Sequence, residues 1–374
     1  MTIQRRGLVA GLVAGTLALS ACSPDDEGST GGGGGASPAG GTAAGLDCAV
    51  GSLTAAGSSA QRGAYAAWID AYQNACPDAA IDYDAQGSGT GRTRFVQQQV
   101  PLAGSDSALT GDQKAAANAR CAPGKAVDLP TVLAPIAVAY TLRGVDRLTL
   151  TPTVIAQILD NRITSWNDPA IAKANPGTTL PNRPVTPVHR SSQSGTTENL
   201  TRFLAAQDEA AWPYEPAQSW PARGGSYGLG AADSAAMVRL VKGADGAIGY
   251  VDHPDAVRND LTVAAIDTGS GPVELTAGTV GKAVSAADLH ADGGDLVFDI
   301  DYGLTEQGAY PAIQATYQIT CTRGLPAGQA KLVKSFLAYQ ISDAGQEVLG
   351  DAGYVPLPAG LRSKVKAGID ALSD

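Results

Sequence analysis

Strand-like and helix-period runs alternate through this 374-residue chain, and that alternation constrains its fold more than any other feature. Leu53-Thr54-Ala55-Ala56 reads as a short strand, and Tyr65, Trp68, Ile69 and Tyr72 follow at helical spacing. Ile81-Asp82-Tyr83 is extended, Val132 to Tyr140 reads as a buried strand, and Val154 to Leu159 as a helix. Val185 to His189 is strand-like and leads to a helix with Leu200, Phe203 and Leu204 on one face. A strand at Ala247 to Val251 and a helix carrying Leu332, Val333, Phe336 and Leu337 complete the series. The alternation predicts an α/β fold with mainly parallel sheets. Such sheets take ligands beyond the carboxyl ends of their strands.

Three of the strand-to-helix turns share one chemistry. They are Gly57-Ser58-Ser59-Ala60, Gly87-Ser88-Gly89-Thr90-Gly91 and Ser194-Gly195-Thr196. Each puts hydroxyls and backbone donors at a helix start, where unpaired N–H groups and the positive end of the dipole suit an anion. Glycine permits close approach. Arg190, at the end of the strand before the third turn, adds a charged fork. One such turn is an ordinary helix cap; three in one chain point to a shared ligand. The glycine run at 87–91 is weak evidence for a dinucleotide fold.

Asp106, in Ala103-Gly104-Ser105-Asp106, also ends a strand-like stretch. Alone it reads as a helix cap. Among anion donors, a carboxylate repels any ligand that lacks a proton to donate. Phosphate near neutral pH carries one and sulfate does not, so an acceptor here favours phosphate.

The N-terminus reads as an export signal. Arg5 and Arg6 precede an apolar run from Gly7 to Ala21, too short for a comfortable membrane span. The run ends in Leu19-Ser20-Ala21-Cys22, which resembles a bacterial lipobox with Cys22 as the lipidated residue. Residues 22–45 are rich in Gly, Ser and Pro, cannot bury a core, and form a tether with a reach of about 25 Å. The expected location is the outer face of the cell membrane. The net charge of −10 argues against nucleic acid as a partner. A small anion remains compatible, because a buried site works through local dipoles.

Besides Cys22 the chain has Cys48, Cys76, Cys121 and Cys321. There is no CxxC pair and only three histidines, so neither a metal nor a cofactor is expected. Two disulfides suit an exported chain. Cys48 and Cys76 could meet across the first strand and its returning helix, which would leave Cys121 for Cys321. The other connectivities stay open.

The segments LTAAGSSAQ, AQGSGTGRTRF, AGSDSAL, ITSWNDPAI, VHRSSQSGTTENLTRFL and GAIGYVD together resemble the phosphate-binding proteins of bacterial phosphate ABC importers (PstS type). They spread from about Leu53 to Val251. The resemblance implies a two-lobe, periplasmic-binding-protein-like (Venus flytrap) fold with crossover hinge strands. Residues 46–139 and 316–374 would form one lobe and residues 140–315 the other. It carries over phosphate contacts to Ser58, Ser59, Ala60, Ser88 and Asp106 on the first lobe. On the second, it carries them to Arg190, Ser194, Gly195 and Thr196. It implies a monomeric receptor that delivers inorganic phosphate to a permease with ATPase subunits, without catalysis. The composition and lipobox would suit an actinobacterial member. One position departs from the pattern: the family commonly has an acidic residue two places after the arginine, and here that place is Ser192.

Two other readings compete. An exported serine hydrolase or phosphatase would use Ser88 or Ser194 as nucleophile and needs a base from His189, His253 or His290. No GxSxG elbow supports it. A phosphate sensor without a transport role would share the same binding residues.

Overall fold

The structure, a computed structural model, describes residues 46–221, 227–292 and 294–373. The signal, Cys22 and tether readings lie outside the described residues. A single nine-stranded sheet runs through the body. Its strands in chain order include β1 (Gly51–Gly57), β2 (Ala79–Asp84), β3 (Leu102–Ser105), β4 (Ala126–Thr141), β5 (Thr186–Arg190), β6 (Leu229–Ala231), β7 (Ala247–Asp252) and β8 (Ile313–Cys321). The spatial order is β2-β1-β3-β8-β4-β7-β5-β6, with Thr262–Val263 paired beside β4. Both outer thirds are parallel: β1 with β2 and β3, and β5 with β6 and β7. The middle is antiparallel, built on the two long strands β4 and β8.

Helices connect the parallel strands. The site depends on α1 (Arg62–Ala75), α2 (Ser88–Val96), α3 (Gly195–Gln207) and α4 (Ser234–Gly243). A later helix, α5 (Ala327–Gln340), packs its Leu332, Val333, Phe336 and Leu337 face inward, as their spacing predicts. Two separate hydrophobic cores result. The first gathers Leu53, Tyr65, Trp68, Tyr72, Phe95 and Phe336. The second gathers Ile155, Trp166, Val188, Phe203, Trp212 and Tyr250.

β4 and β8 are the strands that pass between the cores. β4 serves the first core through Leu133 and the second from Ile136 onward, so Ile136 to Ala139 pack with the second half. The antiparallel hairpin Asp288–Asp292 with Asp295–Asp299 places Leu296 in the first core, although it falls within the 140–315 stretch. β4 is longer than the strand read from the sequence, which began at Val132. Pro130 interrupts the ladder, because proline cannot donate to it. The sheet accommodates this with a register shift: Thr316 pairs with Val132 and Tyr317 with Pro130, leaving Thr131 between them.

Of the connectivities open to the four cysteines, the chain adopts Cys48–Cys76 with Cys121–Cys321. Cys48–Cys76 ties the entry to β1 to the end of α1, and Cys121–Cys321 ties β8 to the helix Gly111–Arg120. The second closes a loop of 200 residues and joins the end of the chain's last long strand to the first core.

Candidate binding cleft

Four helix starts converge between the two cores. Ser58, Ser59 and Ala60 lie between β1 and α1; Ser88 is the first residue of α2; Ser194 caps α3, with Gly195 its first residue. Asp106 directly follows β3, and Arg190 is the last residue of β5. Every one of the nine residues read from the sequence is buried here, Thr196 included. The fourth start belongs to α4, capped by Asp233, and sequence reading missed it. Ser234 N–H donates to Ser59 Oγ at 3.1 Å, and the two hydroxyls lie 2.9 Å apart. The signal was present in Asp233-Ser234 ahead of the apolar-periodic Met237, Val238 and Val241.

Asp106 is the centre of the first half. Ser58 Oγ donates to its Oδ2 at 2.5 Å and Ser88 Oγ at 3.1 Å, while Asp106 N–H donates to Ser88 Oγ at 3.1 Å. Ala60 N–H donates to Ser58 Oγ, so that hydroxyl is fixed from both sides. Oδ1 is buried with no hydrogen-bond partner. Burial pushes the carboxyl above its usual range; the Ser58 and Ser88 hydroxyls, the Gln61 amide and the Arg190 charge pull it back.

The second half reaches across to the same residue. Thr196 Oγ1 donates to Asp106 Oδ2 at 3.5 Å, and Asn199 Nδ2 donates to the Asp106 carbonyl at 2.7 Å. Gly195 sits so close that an added Cβ would lie 2.8 Å from both Asp106 Cβ and Ser88 Oγ. Gly87, at φ +128°, faces the Gln193 carbonyl with similar closeness, which only glycine permits. Behind the cleft, Glu198 takes hydrogen bonds from Ser107 at 2.7 Å, Gln218 at 3.1 Å and Arg92 at 3.4 Å. Arg92 and Ser107 belong to the first half, so a buried ion pair bridges the cleft. The two halves are therefore in closed contact.

Arg190 is 3 % exposed. Its Nη1 donates to Ser194 Oγ at 3.1 Å; Nη2 donates to Ser192 Oγ at 2.7 Å and to the Ala232 carbonyl at 3.3 Å. Ser192 Oγ in turn donates to Ala232 O at 2.7 Å. A neutral hydroxyl and a carbonyl thus hold the guanidinium where an acidic side chain would commonly do so. Burial lowers the guanidinium's proton affinity, and Tyr250, Asp106, Asp233 and Asp252 oppose this. The backbone is held too: Tyr250 OH accepts from Arg190 N–H at 3.1 Å and bonds Thr197 Oγ1 at 2.7 Å. Tyr250 was not foreseen, because an aromatic on a buried strand reads as core.

The hydroxyls of Ser88 and Ser194 are engaged with Asp106 and with Arg190 and Thr197, respectively. His189 stacks on Trp220 at 5.0 Å and turns Nδ1 to the Arg190 carbonyl. His290 lies on the exposed hairpin against Asp299.

A cleft between two α/β halves joined by two long strands, lined by helix N-termini, defines a class of solute-binding folds. Residues 42–344 match the family model described as the PBP superfamily domain. Phosphate-binding protein PstS2 of Mycobacterium bovis is 37% identical over the whole of both chains, and PstS 3 of Mycobacterium tuberculosis is 38% identical, also over the whole of both. The chain belongs to the PstS family of phosphate-binding proteins. Solved structures share the fold. A high affinity periplasmic phosphate-binding protein (PfluDING) bound with phosphate superposes with a TM-score of 0.68 at 20% identity, covering 85% of this chain and 93% of that one. A phosphate-binding protein from Stenotrophomonas maltophilia gives a TM-score of 0.63 at 20% identity, covering 85% and 94%.

Proposed function

We propose that this protein is a receptor for inorganic phosphate that hands the anion to an ABC permease and its ATPase subunits. The observation that carries this reading is Asp106: a buried carboxylate with one unpaired oxygen among anion donors. The names of the full-length relatives support the same ligand. Ser58, Ser59, Ser88, Ser194 and Thr196 supply hydroxyls; the N–H groups of Ala60, Gly195 and Thr196 supply backbone donors; Arg190 supplies charge. Asp106 takes the proton that phosphate carries. Donors from both halves act on one anion, so phosphate binds the closed form better and shifts the population toward it. The halves move about β4 and β8, where those strands change cores.

The test is calorimetry with phosphate and sulfate. The protein is expected to bind phosphate one-to-one and to discriminate strongly against sulfate. In Asp106→Asn the phosphate-over-sulfate preference should fall by about tenfold or more, because the amide can donate as well as accept. Equal affinity of the unmodified protein for both anions overturns the reading.

Cys22 is the proposed lipid attachment point, on the outer face of the membrane. Cys22→Ser should move a folded protein from the membrane to the soluble fraction with unchanged phosphate affinity, since every proposed contact begins at Ser58. Uptake by cells should fall as the local concentration at the permease is lost. Retention in the membrane fraction would mean a different anchor.

A further inference from the structure

Arg92 and Glu198 lie one helical turn behind the cleft, on two helices whose N-termini face the anion site from opposite halves. Arg92 follows Ser88 by four residues on α2, and Glu198 follows Gly195 by three on α3. Their side chains are 4 % and 10 % exposed, and Arg92 Nη2 lies 3.4 Å from Glu198 Oε2. The two oxygens of Glu198 face different ways. Oε1 accepts from Arg202 of the same helix at 2.8 Å. Oε2 meets the other half, where Ser107 Oγ donates to it at 2.7 Å beside the Arg92 contact. Gln218 Nε2 also donates to Oε2, at 3.1 Å; a carboxylate can only accept, which puts the amide nitrogen on that side. The Gln218 carbonyl takes the N–H of Ser194, so the cluster is tied to the cap of α3. None of Arg92, Ser107, Glu198 and Gln218 is among the proposed phosphate contacts.

We propose that Glu198 and Arg92 are positioning residues that set how long the anion stays bound: their contact is a latch that forms only in the closed cleft and touches no anion. This rests on the reading of the cleft as a phosphate site. Both residues ride on helices that also carry proposed ligands, so Oε2 meets Arg92 only when Ser88 and Gly195 have come together. The partners that remain on opening make the latch reversible. Arg92 keeps Ser107 Oγ at 3.0 Å and the Ala108 carbonyl at 3.2 Å; Glu198 keeps Arg202 and Gln218. Each charge thus has a partner in both states. The closed contact is made away from water, where loss of one member leaves the other buried and unpaired. The second ion pair across the cleft, Arg62 with Asp233 at 3.5 Å, is far more exposed and so contributes less. Because the latch does not exist until the halves close, it acts on release of the anion and not on its encounter. It holds any anion that lets the cleft close, so it raises affinity while the choice between phosphate and sulfate stays with Asp106.

The test measures phosphate association and dissociation rates by stopped flow for the unmodified protein, Glu198→Gln, Arg92→Met and the double variant, with circular dichroism as a check on folding. Glu198→Gln keeps the shape and removes the charge, which leaves Arg92 unpaired on closure. Its dissociation rate should rise about tenfold, with the association rate and the phosphate-over-sulfate preference unchanged. Arg92→Met should act in the same direction. The double variant should release phosphate no faster than the faster single one, since both lose one and the same contact. Residues that served only their own halves would give effects that multiply; that result, or an unchanged dissociation rate in Glu198→Gln, overturns the proposal. If these variants do not fold, Ser107→Ala decides. It removes the 2.7 Å bond to Oε2 and should speed release about threefold; unchanged release overturns the proposal. A further readout needs no anion. Spin labels placed one on each half report the closed fraction of the ligand-free protein, which should be smaller in Glu198→Gln than in the unmodified protein; equal fractions overturn the latch. Failure of the unmodified protein to bind phosphate is a separate outcome: it would overturn the phosphate reading itself, and the label distances would still decide the latch.

Discussion

Arg190→Ala is expected to weaken phosphate binding roughly ten- to a hundredfold or more, and Ser192→Ala far less. Arg190 is the one guanidinium among the proposed ligands, and it is held at 3 % exposure by Ser192, Ser194 and the Ala232 carbonyl. Removing a buried charged partner typically costs about 1.5–3 kcal/mol, which sets that range. Ser192 acts only through Arg190. Without its hydroxyl, Nη2 keeps the Ala232 carbonyl at 3.3 Å and Nη1 keeps Ser194. Its loss should therefore cost a few-fold at most, by allowing the fork to wander. Phosphate titrations of the two variants decide, with circular dichroism to establish that both fold. The reverse order would remove Arg190 from contact with the anion.

Gly195→Ala should damage binding almost as much while sparing the fold. The backbone at Gly195 is ordinary helix, so alanine is free of strain there and even favours α3. The new methyl would lie 2.8 Å from Asp106 Cβ and Ser88 Oγ and 3.1 Å from the Asp106 carbonyl carbon. All three atoms belong to the opposite half. The penalty therefore falls on closure, not on either core. Overpacking of this kind costs about 1–3 kcal/mol, or roughly five- to a hundredfold in affinity. The melting temperature without phosphate should be little changed, and the stabilisation that phosphate adds should shrink. Unaltered affinity would mean that the halves do not approach this closely with the anion bound.

The turns that build the site were legible because each is a local device. A glycine, two hydroxyls and a following helical period occupy six or seven residues, and the helix dipole needs nothing from the rest of the chain to attract an anion. Asp106 was legible for the same reason, as a carboxylate where strands end. Ser234 was overlooked although its signal is equally local, because its helix start is preceded by the very short strand Leu229–Ala231. Tyr250 could not have been found this way: an aromatic on a buried strand reads as core, and only its hydrogen bonds to Arg190 and Thr197 give it a role.

Local spacing thus determined the α/β class and the three anion-ready turns, while the departure at Ser192 came from comparison with the family pattern that the chain resembles. Tertiary structure alone decided which of these groups meet. Ser59 finds Ser234 across 175 residues and Asp106 finds Thr196 across 90. Those pairings depend on how β4 and β8 carry the chain from one core to the other, with the register shift at Thr131 absorbing Pro130. A short-range pattern specifies the dihedrals and dipoles of one turn. The closeness of two turns is set by sheet order and packing summed over the whole chain, which no single segment encodes.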